Sequence, residues 1–542
     1  MSNSGTITTK PELPFDREPD GCITISARRY TGVRRYDLRA AWNHRLSSFV
    51  SKNYRKPLST LLGELPIIRT AGIGDPLITS VAYDSRQVIP GSLFIALRGL
   101  KADGSQFIRE AIAKGAAAII SESEISTGKD VPIVLVENAR KALAELSWSF
   151  FNHPERALTL VGVTGTNGKT TVASILRGVL EYSGIRAGLA GTLGIYYGDT
   201  QIETPRTTPE STDLAAHFAA MRDQGFTHVV MEVTSIGIDL ERIWKLPFRV
   251  AAFTNLTRDH LDYHGTEDAY REAKLRLFRE QDRDATAVIN VDDPHADHFK
   301  GAAHGAVRTY GIESEADFHT RDLKLSRRGI SFTLHAGNRT IPVTTPLIGS
   351  FNASNVLAVI GIADALNIPL TTAAQALREA VPARGRAEIV LTSAPFTIVV
   401  DYAHTPDALE KILTTLRELN PRRILTVVGA GGDRDRGKRP LMAEVSYRLS
   451  DLLFLTSDNP RSEDPESILD DMAAGLPPKS TFIRNASRRT AIEMALNEAG
   501  DDDIVLIAGK GHETYQEIQG VQHPFDDRQI VLEWSKRAGY NA

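Results

Sequence analysis

Apolar residues along this chain come mostly in short runs, separated by longer stretches in which apolar positions recur every three or four residues. Short apolar runs bounded by turn residues read as buried strands, and the longer spacing reads as amphipathic helix. The pattern becomes regular from about residue 57. Residues 92–97 (SLFIAL) and 117–120 read as strands, with helical spacing at 106–114 between them. The runs 158–163 (LTLVGV), 228–232 (HVVME), 250–254 (VAAFT) and 287–290 (AVIN) follow, with a helix expected over 170–182. Another series occupies 396–401 (FTIVVD), 424–429 (ILTVVG), 452–456 (LLFLT) and 504–509 (IVLIAG), starting near Pro382. Strands that alternate with helices predict mostly parallel, doubly wound sheets. The expectation is an α/β chain with a small α/β N-terminal domain at 57–151, a central domain at 152–381 and a C-terminal, Rossmann-like domain at 382–542.

The chain length of 542 residues suits about three domains. Residues 1–56 stand apart. The first twenty hold three prolines and no apolar run, and Arg28, Arg29, Arg34, Arg35, Arg39, Arg45, Lys52, Arg55 and Lys56 follow. This basic segment reads as a poorly ordered extension, with contact to a membrane surface or a partner as the alternative. The formal net charge of −4 gives no global basic field, so nucleic acid is not an expected partner. A single cysteine, Cys22, rules out a disulfide within the chain. No run of about 18 apolar residues is present, which argues against stable membrane insertion. The N-terminus lacks the apolar core of a secretory signal, so the cytoplasm is expected.

Residues 164–171 read TGTNGKTT, between an expected strand and an expected helix. Gly165, Thr166, Asn167 and Gly168 are small enough for backbone N–H groups to close around phosphate oxygens, and the helix that follows adds its dipole. Lys169 is placed to neutralise β- and γ-phosphates, and the Thr170 hydroxyl to ligate Mg²⁺, with Thr171 beside it. Val163 stands where the strict P-loop pattern has its first glycine, so this is a variant loop. Glu232 ends a strand, where a cation bound to a nucleotide needs an oxygen ligand. Asp259, His260, Asp262 and His264 follow another strand end within six residues. Such a density of ligand types lies where parallel sheets place their sites.

The segments TGTNGKTT (164–171), FTNLTRDHLDYHG (253–265), GSFNASN (349–355), VDYAHTPDALE (400–410), GAGGDRDRGKRPLM (429–442), DNPRSEDP (458–465) and AGKGHE (508–513) resemble, in this order, the motifs of the Mur ligases. These are ATP-dependent amide ligases of cell-wall precursor synthesis. The resemblance is nearest to the branch that adds a diamino acid, and it covers about residues 57–542. It implies transfer of the ATP γ-phosphate to the D-Glu carboxylate of UDP-MurNAc-L-Ala-D-Glu, followed by attack of an amine on the acyl phosphate. Mg²⁺ is the implied cofactor, ATP the co-substrate, and a monomer the expected state. Closure of the domains during turnover is also expected, since nucleotide contacts come from two of them.

Carried over residue by residue, the resemblance gives Thr170, Glu232 and His260 as metal ligands. It also gives Lys274, which the sequence alone makes a helix-surface lysine, as a lysine that becomes carbamoylated and then binds metal. Lys169, Glu232, His260 and Lys274 form the implied catalytic set. Asn352, Asn355, Arg386 and Asp401 lie near the nucleotide in relatives, with Tyr402 and His404 on the same edge. Tyr83, Ser85, Leu100, Lys101 and Ala102 match uridine-side contacts; Thr207, Thr208, Ser235 and Arg242 match contacts to the muramyl dipeptide. The DNPR segment (Asp458, Asn459, Pro460, Arg461), with Arg434, Gly509 and Glu513, matches the site for meso-2,6-diaminopimelate. The physics agrees: diaminopimelate carries a distal carboxylate that lysine lacks, and a guanidinium binds it bidentately. The chain departs from the family pattern at Ile236 and Leu240, where a histidine and a glutamine are common in relatives. Addition of L-lysine, or a P-loop switch that only hydrolyses nucleotide, are the alternatives.

Overall fold

The computed structural model describes residues 54–63, 65–99, 103–125, 131–390 and 393–541. Most of the expected extension, residues 1–53, and the candidates Leu100, Lys101 and Ala102 lie outside the described residues. Three sheets of five, eleven and six strands carry the architecture.

In the first sheet, strands β1 (Arg69–Ala71), β2 (Ser80–Ala82), β3 (Ser92–Ile95), β4 (Ala116–Ser121) and β5 (Ile133–Leu135) lie in the order β1-β5-β4-β3-β2. Only the edge strand β1 is antiparallel to its neighbour. The helix between β3 and β4 is α1 (Ile108–Ala113), and its expected first turn is instead 3₁₀, with Asp103 accepting from the Ser105 N–H at 2.9 Å. Helix α2 (Ala139–Phe150) starts at Asn138, whose side chain accepts from two backbone N–H groups. It buries Leu143, Leu146 and Phe150 in the same apolar cluster as Leu160, Leu214 and Phe218 of the next unit. The first sheet is thereby joined to the second by a continuous core.

The central sheet follows chain order β6 (Thr159–Thr164), α3 (Lys169–Tyr182), β7 (Ala187–Gly191), β8 (Gly194–Tyr197), β9 (Thr200–Ile202), α4 (Ser211–Asp223), β10 (His228–Glu232), β11 (Phe248–Phe253), α5 (Glu267–Arg279), β12 (Thr286–Asn290), β13 (Ala306–Gly311), β14 (Phe318–Ser326), β15 (Gly329–Ala336), β16 (Arg339–Thr345) and α6 (Ser350–Ala365). Its strand order is β9-β8-β7-β10-β6-β11-β12-β13-β14-β15-β16. The strands from β7 across to β14 run parallel to their neighbours, and both ends of the sheet are antiparallel. β6 sits between β10 and β11 with Val163 opposite Glu232 and Thr164 opposite Phe253. The loops leaving these three strands therefore meet at one edge of the sheet. The antiparallel extension β14–β16 is not foreseen by the run-based reading. Its burial alternates residue by residue in β15, so its signal is period two rather than a continuous apolar run.

The third sheet contains β17 (Glu388–Ile389), β18 (Thr397–Asp401), β19 (Ile424–Ala430), β20 (Leu452–Ser457), β21 (Ile483–Asn485) and β22 (Ile504–Ala508), in the order β17-β18-β22-β19-β20-β21. Helices α7 (Pro406–Glu418) and α8 (Lys438–Leu449) pack on it, and β23 (Tyr515–Ile518) pairs with β24 (Val521–Pro524) in a hairpin. All strands but β17 are parallel in the six-stranded sheet, so the loops after β18, β19, β20 and β22 open on one side. No described helix is long and apolar enough to cross a membrane.

Candidate functional site

The loop after β6 closes because two of its residues have no side chain. Gly165 has φ +148° and Gly168 φ +87°, and a Cβ on either would overlap the Thr254 hydroxyl or the Asn355 side-chain oxygen. The loop is tied to the strand ends beside it: Thr254 Oγ1 donates to the Asn167 carbonyl at 2.6 Å, and the Asn167 N–H donates to Asn255 Oδ1 at 3.0 Å. Thr166 Oγ1 lies 3.1 Å from the Tyr270 hydroxyl and donates to Thr257 O at 3.1 Å. Asn355 reaches the loop from α6 while its Nδ2 donates to Asn352 Oδ1 at 3.0 Å; Asn352 in turn donates to Ile348 O at 2.8 Å. Asn355 thus lies against the loop, and Asn352 holds Asn355 in place.

Lys169 Nζ donates to the carbonyls of Gly165 and Thr166, each at 2.8 Å. Burial lowers its pKa, Glu232 opposes that, and Arg386 adds to it. Lys274 Nζ donates to the same Gly165 carbonyl at 3.0 Å and lies 4.6 Å from the Tyr270 ring centre. The expectation of a helix-surface lysine is corrected here, because Lys274 is only 1% exposed. The buried residues of α5 are Tyr270, Ala273, Lys274, Leu275, Leu277 and Phe278, so the lysine stands in the apolar stripe of its helix. Burial, and then the nearby Lys169 charge, holds its pKa well below the usual lysine range, with Asp259 opposing.

The carboxylate of Glu232, a residue only 1% exposed, receives three hydrogen bonds. Thr170 Oγ1 and Thr192 Oγ1 donate to Oε2 at 2.8 and 3.0 Å, and the Thr192 N–H donates to Oε1 at 2.8 Å. Thr171 is buried in the first turn of α3. A hydroxyl and a carboxylate are hard oxygen donors suited to Mg²⁺, which binds through one or two protein groups and fills its shell with phosphate oxygens and waters. Among the described residues no group of three or more His, Cys, Asp and Glu side chains converges. His260, at φ +52°, is exposed and pairs with Asp259 at 3.7 Å; it is not brought into the Glu232 cluster by any contact. His264 instead meets Ser235 Oγ at 3.0 Å, with its pKa lowered by burial first.

The face towards the first sheet is ionic. Arg242, buried, donates from Nε to Glu210 Oε1 at 2.9 Å and from Nη1 to Thr208 O at 3.1 Å. Thr208 Oγ1 donates to Glu232 O at 3.0 Å, and Thr207 Oγ1 lies 3.2 Å from Thr192 Oγ1. These contacts link the expected peptide-binding residues to the expected metal ligand. Tyr83 bridges the units by donating to Asp213 Oδ2 at 2.9 Å. Burial raises the Asp213 carboxyl to about 6. Ser85 Oγ donates to Glu110 Oε2 at 3.1 Å.

On the third sheet, Asp401 accepts from the N–H groups of Ala387 and Ala403, both at 2.7 Å, and burial raises its pKa. Arg386 lies over the Tyr402 ring at 4.9 Å, and its buried Nε has no hydrogen-bond partner. Tyr402 is flanked by the rings of His404 and His512 at 4.6 and 5.0 Å. Burial, reinforced by Arg386, pushes His512 down to about 4.

The DNPR loop follows β20. Asp458, Asn459 and Pro460 are buried, and Arg461, at φ +54°, donates from Nη1 to Gly432 O at 2.7 Å, with Nε 3.3 Å from Glu517 Oε2. Glu513 Oε2 accepts from Asn459 Nδ2 at 2.9 Å and from Lys510 Nζ at 2.8 Å. Lys510 also donates to Asn459 Oδ1 at 3.0 Å. Gly509, at φ +115°, packs against the Asp458 carboxylate, and Arg434 is exposed in the facing loop. Thr192, Thr254, Asn255 and Lys510 escaped the sequence reading. Thr254, Asn255 and Lys510 lie inside segments already singled out, but Thr192 has no local signal, since it meets Glu232 only across the sheet.

The chain matches the Mur ligase middle domain over residues 163–363, the Mur ligase glutamate ligase domain over 385–511, and the Mur ligase family catalytic domain over 77–151. It is 44% identical over 489 residues to a UDP-N-acetylmuramoyl-L-alanyl-D-glutamate--2,6-diaminopimelate ligase of Geobacillus kaustophilus, covering 89% of this chain and 100% of that protein. A ligase of the same name from Syntrophomonas wolfei is 42% identical over 482 residues, covering 88% and 98%. A solved structure of such a diaminopimelate ligase superposes with a TM-score of 0.63 at 35% identity, over 85% of this chain and 95% of that one. The ADP complex of the MurF ligase from Thermotoga maritima shares the fold, with a TM-score of 0.59 at 21% identity over 84% and 97%.

Proposed function

The chain belongs to the Mur ligase family, and from that premise we propose that it joins meso-2,6-diaminopimelate to the D-Glu carboxylate of UDP-MurNAc-L-Ala-D-Glu at the expense of ATP. The observation that carries the choice of amino acid is the third-sheet edge, where the partly buried Arg461 guanidinium and the Glu513 carboxylate flank the Asn459 loop. This arrangement suits a substrate with a carboxylate and an ammonium at its far end.

ATP lies with its phosphates on the loop at 164–171. Backbone N–H groups and the N-terminus of α3 face the phosphate oxygens, and Lys169 turns from the loop carbonyls to the β/γ bridge. Thr170 and Glu232 are the residues to hold Mg²⁺, which when bound neutralises charge on the transferred phosphoryl group. The D-Glu carboxylate oxygen attacks the γ-phosphorus and ADP leaves, giving an acyl phosphate. The amine of diaminopimelate then attacks the acyl carbon, the tetrahedral intermediate expels phosphate, and the amine loses a proton to give the amide. The protein acts by alignment and charge stabilisation rather than by a nucleophile of its own.

The muramyl peptide runs along Thr207, Thr208, Ser235 and Arg242, with the uridine towards Tyr83 and Ser85. Lys274 becomes carbamoylated in this reading. Its depressed pKa favours the neutral amine, whose lone pair can add to CO₂ with loss of one proton. The resulting anion would face Lys169 as an ion pair, whereas an ammonium at Lys274 would meet a like charge there. A carbamate resonance after labelling with ¹³C-bicarbonate, absent in Lys274→Met, tests this. In this reading the enzyme acts in the cytoplasm as a monomer; gel filtration would test the oligomeric state.

The decisive experiment is phosphate release from ATP with UDP-MurNAc-L-Ala-D-Glu, comparing meso-diaminopimelate with L-lysine at equal concentration. Release that requires diaminopimelate is expected. Equal release with lysine would discard the specificity argument, and release independent of both co-substrates would make this a nucleotide hydrolase.

A further inference from the structure

The residues matched to diaminopimelate include two guanidiniums, Arg434 and Arg461, and they stand on loops that leave different strands. β19 and β20 are in register to Gly429 opposite Thr456 and Ala430 opposite Ser457. Beyond that point no ladder holds the two loops together. They are stitched by other means. The Gly432 N–H donates to Asn459 O at 2.9 Å, Ser462 Oγ donates to Asp433 Oδ1 at 2.6 Å, and the Asp433 N–H donates to Glu463 Oε1 at 2.6 Å.

Beneath the stitch lies Arg439, in the first turn of α8, with no exposure at all. Its Nη1 donates to Glu463 Oε2 at 3.0 Å and to Asp471 Oδ2 at 2.8 Å. Its Nη2 donates to Glu463 Oε1 at 2.8 Å and to Gly431 O at 3.2 Å. Arg439 therefore grips the start of the Arg434 loop through Gly431 and the end of the Arg461 loop through Glu463. Burying such a pair adds little to stability compared with apolar packing, so its distinct consequence is registry between the segments it joins.

We infer that the Arg439–Glu463 pair is a positioning device that sets the spacing of Arg434 and Arg461 and thereby the preference for a diamino acid with a distal carboxylate. The inference rests on the function proposed above. Neither residue of the pair touches substrate in it; they act through the two loops.

The test uses the full-length protein with Glu463→Gln, which keeps the shape and removes the charge, Arg439→Lys, which keeps the charge and removes the fork, and the double variant. Glu463→Gln is expected to raise the KM for meso-diaminopimelate by about tenfold, with kcat, the KM for ATP and the KM for UDP-MurNAc-L-Ala-D-Glu little changed. The diaminopimelate-to-lysine ratio of kcat/KM falls in step, and the double variant is no worse than the more affected single one. Melting temperature checks that each variant folds. If Arg439→Lys does not fold, the exposed Ser462→Ala, which breaks the same stitch, replaces it. A folded Glu463→Gln with the diaminopimelate KM within twofold of wild type overturns the inference, as does an equal loss for diaminopimelate and lysine. Absence of diaminopimelate-dependent turnover in the wild type would instead sink the functional reading.

Discussion

Truncating Arg461 to alanine isolates the recognition of the distal carboxylate. In the structure the guanidinium commits one Nη1 proton to Gly432 O at 2.7 Å and turns Nε to Glu517 at 3.3 Å. The Nη2 protons and the second Nη1 proton remain as an edge that a carboxylate can engage bidentately. Two charge-assisted hydrogen bonds contribute about 1.5–3 kcal/mol each, so a sum of about 3–4 kcal/mol is reasonable for a side chain 21% exposed. At about 1.4 kcal/mol per decade this is a loss of roughly 10²–10³ in kcat/KM for diaminopimelate. L-Lysine has no carboxylate there, so its kcat/KM stays within about threefold, and the preference collapses by the same 10²–10³. Arg461→Lys keeps the charge without the fork and loses about tenfold. The lost bond to Gly432 costs about 1.5–3 kcal/mol of stability, less than the about 5–15 kcal/mol that holds a typical domain folded. The assay is phosphate release over a range of both amino acids. Diaminopimelate kcat/KM within threefold of wild type in Arg461→Ala would refute the assignment; equal losses on both amino acids would make Arg461 structural.

Gly165→Ala combines a φ of +148° with a Cβ that meets Thr254 and Asn255, so it should cost about 1–3 kcal/mol of stability and abolish ATP-dependent turnover, read by thermal melting and phosphate release. Asp213, raised from 3.8 to about 6, contributes stability that is fully present below pH 4 and is lost as pH rises through 6. Urea unfolding should therefore show wild type losing about 3 kcal/mol relative to Asp213→Asn between pH 4 and 7; a constant difference would contradict the raised carboxyl. Lys274→Met should lower kcat by about 100-fold or more while ATP still binds, measured by calorimetry and turnover; near-normal kcat would remove Lys274 from the site. Because Arg386, beside the third sheet, adds to the lowering of the Lys169 pKa on the second, nucleotide contacts are expected from both, so a non-hydrolysable ATP analogue with the muramyl substrate should shrink the radius of gyration in solution scattering, and an unchanged value would count against closure.

Much of this protein is written in local sequence. Apolar runs such as 160–163 and 504–508 specify strands buried on both faces, because a strand covered on both sides favours an unbroken apolar run. TGTNGKTT announces a phosphate loop because its glycines, its lysine and the helix start act over neighbouring positions. Tertiary structure decided what depends on distance along the chain. Glu232 meets Thr170 and Thr192 from positions 62 and 40 residues away, across strand neighbours that the sequence does not order. The burial of Lys274 was latent in the stripe Tyr270, Ala273, Leu277 and Phe278, but its meaning came only when the Gly165 carbonyl arrived above it. Arg439 lies inside the 429–442 segment, but its burial carried no local signal, since an arginine in the first turn of a helix ordinarily reaches solvent. Its burial follows from two loops converging on it, and that convergence exists only once β19 and β20 are paired. Local chemistry is encoded by residue type and spacing; the partnership of charged groups far apart in sequence is set by sheet order and register, which arise from the packing of the whole chain.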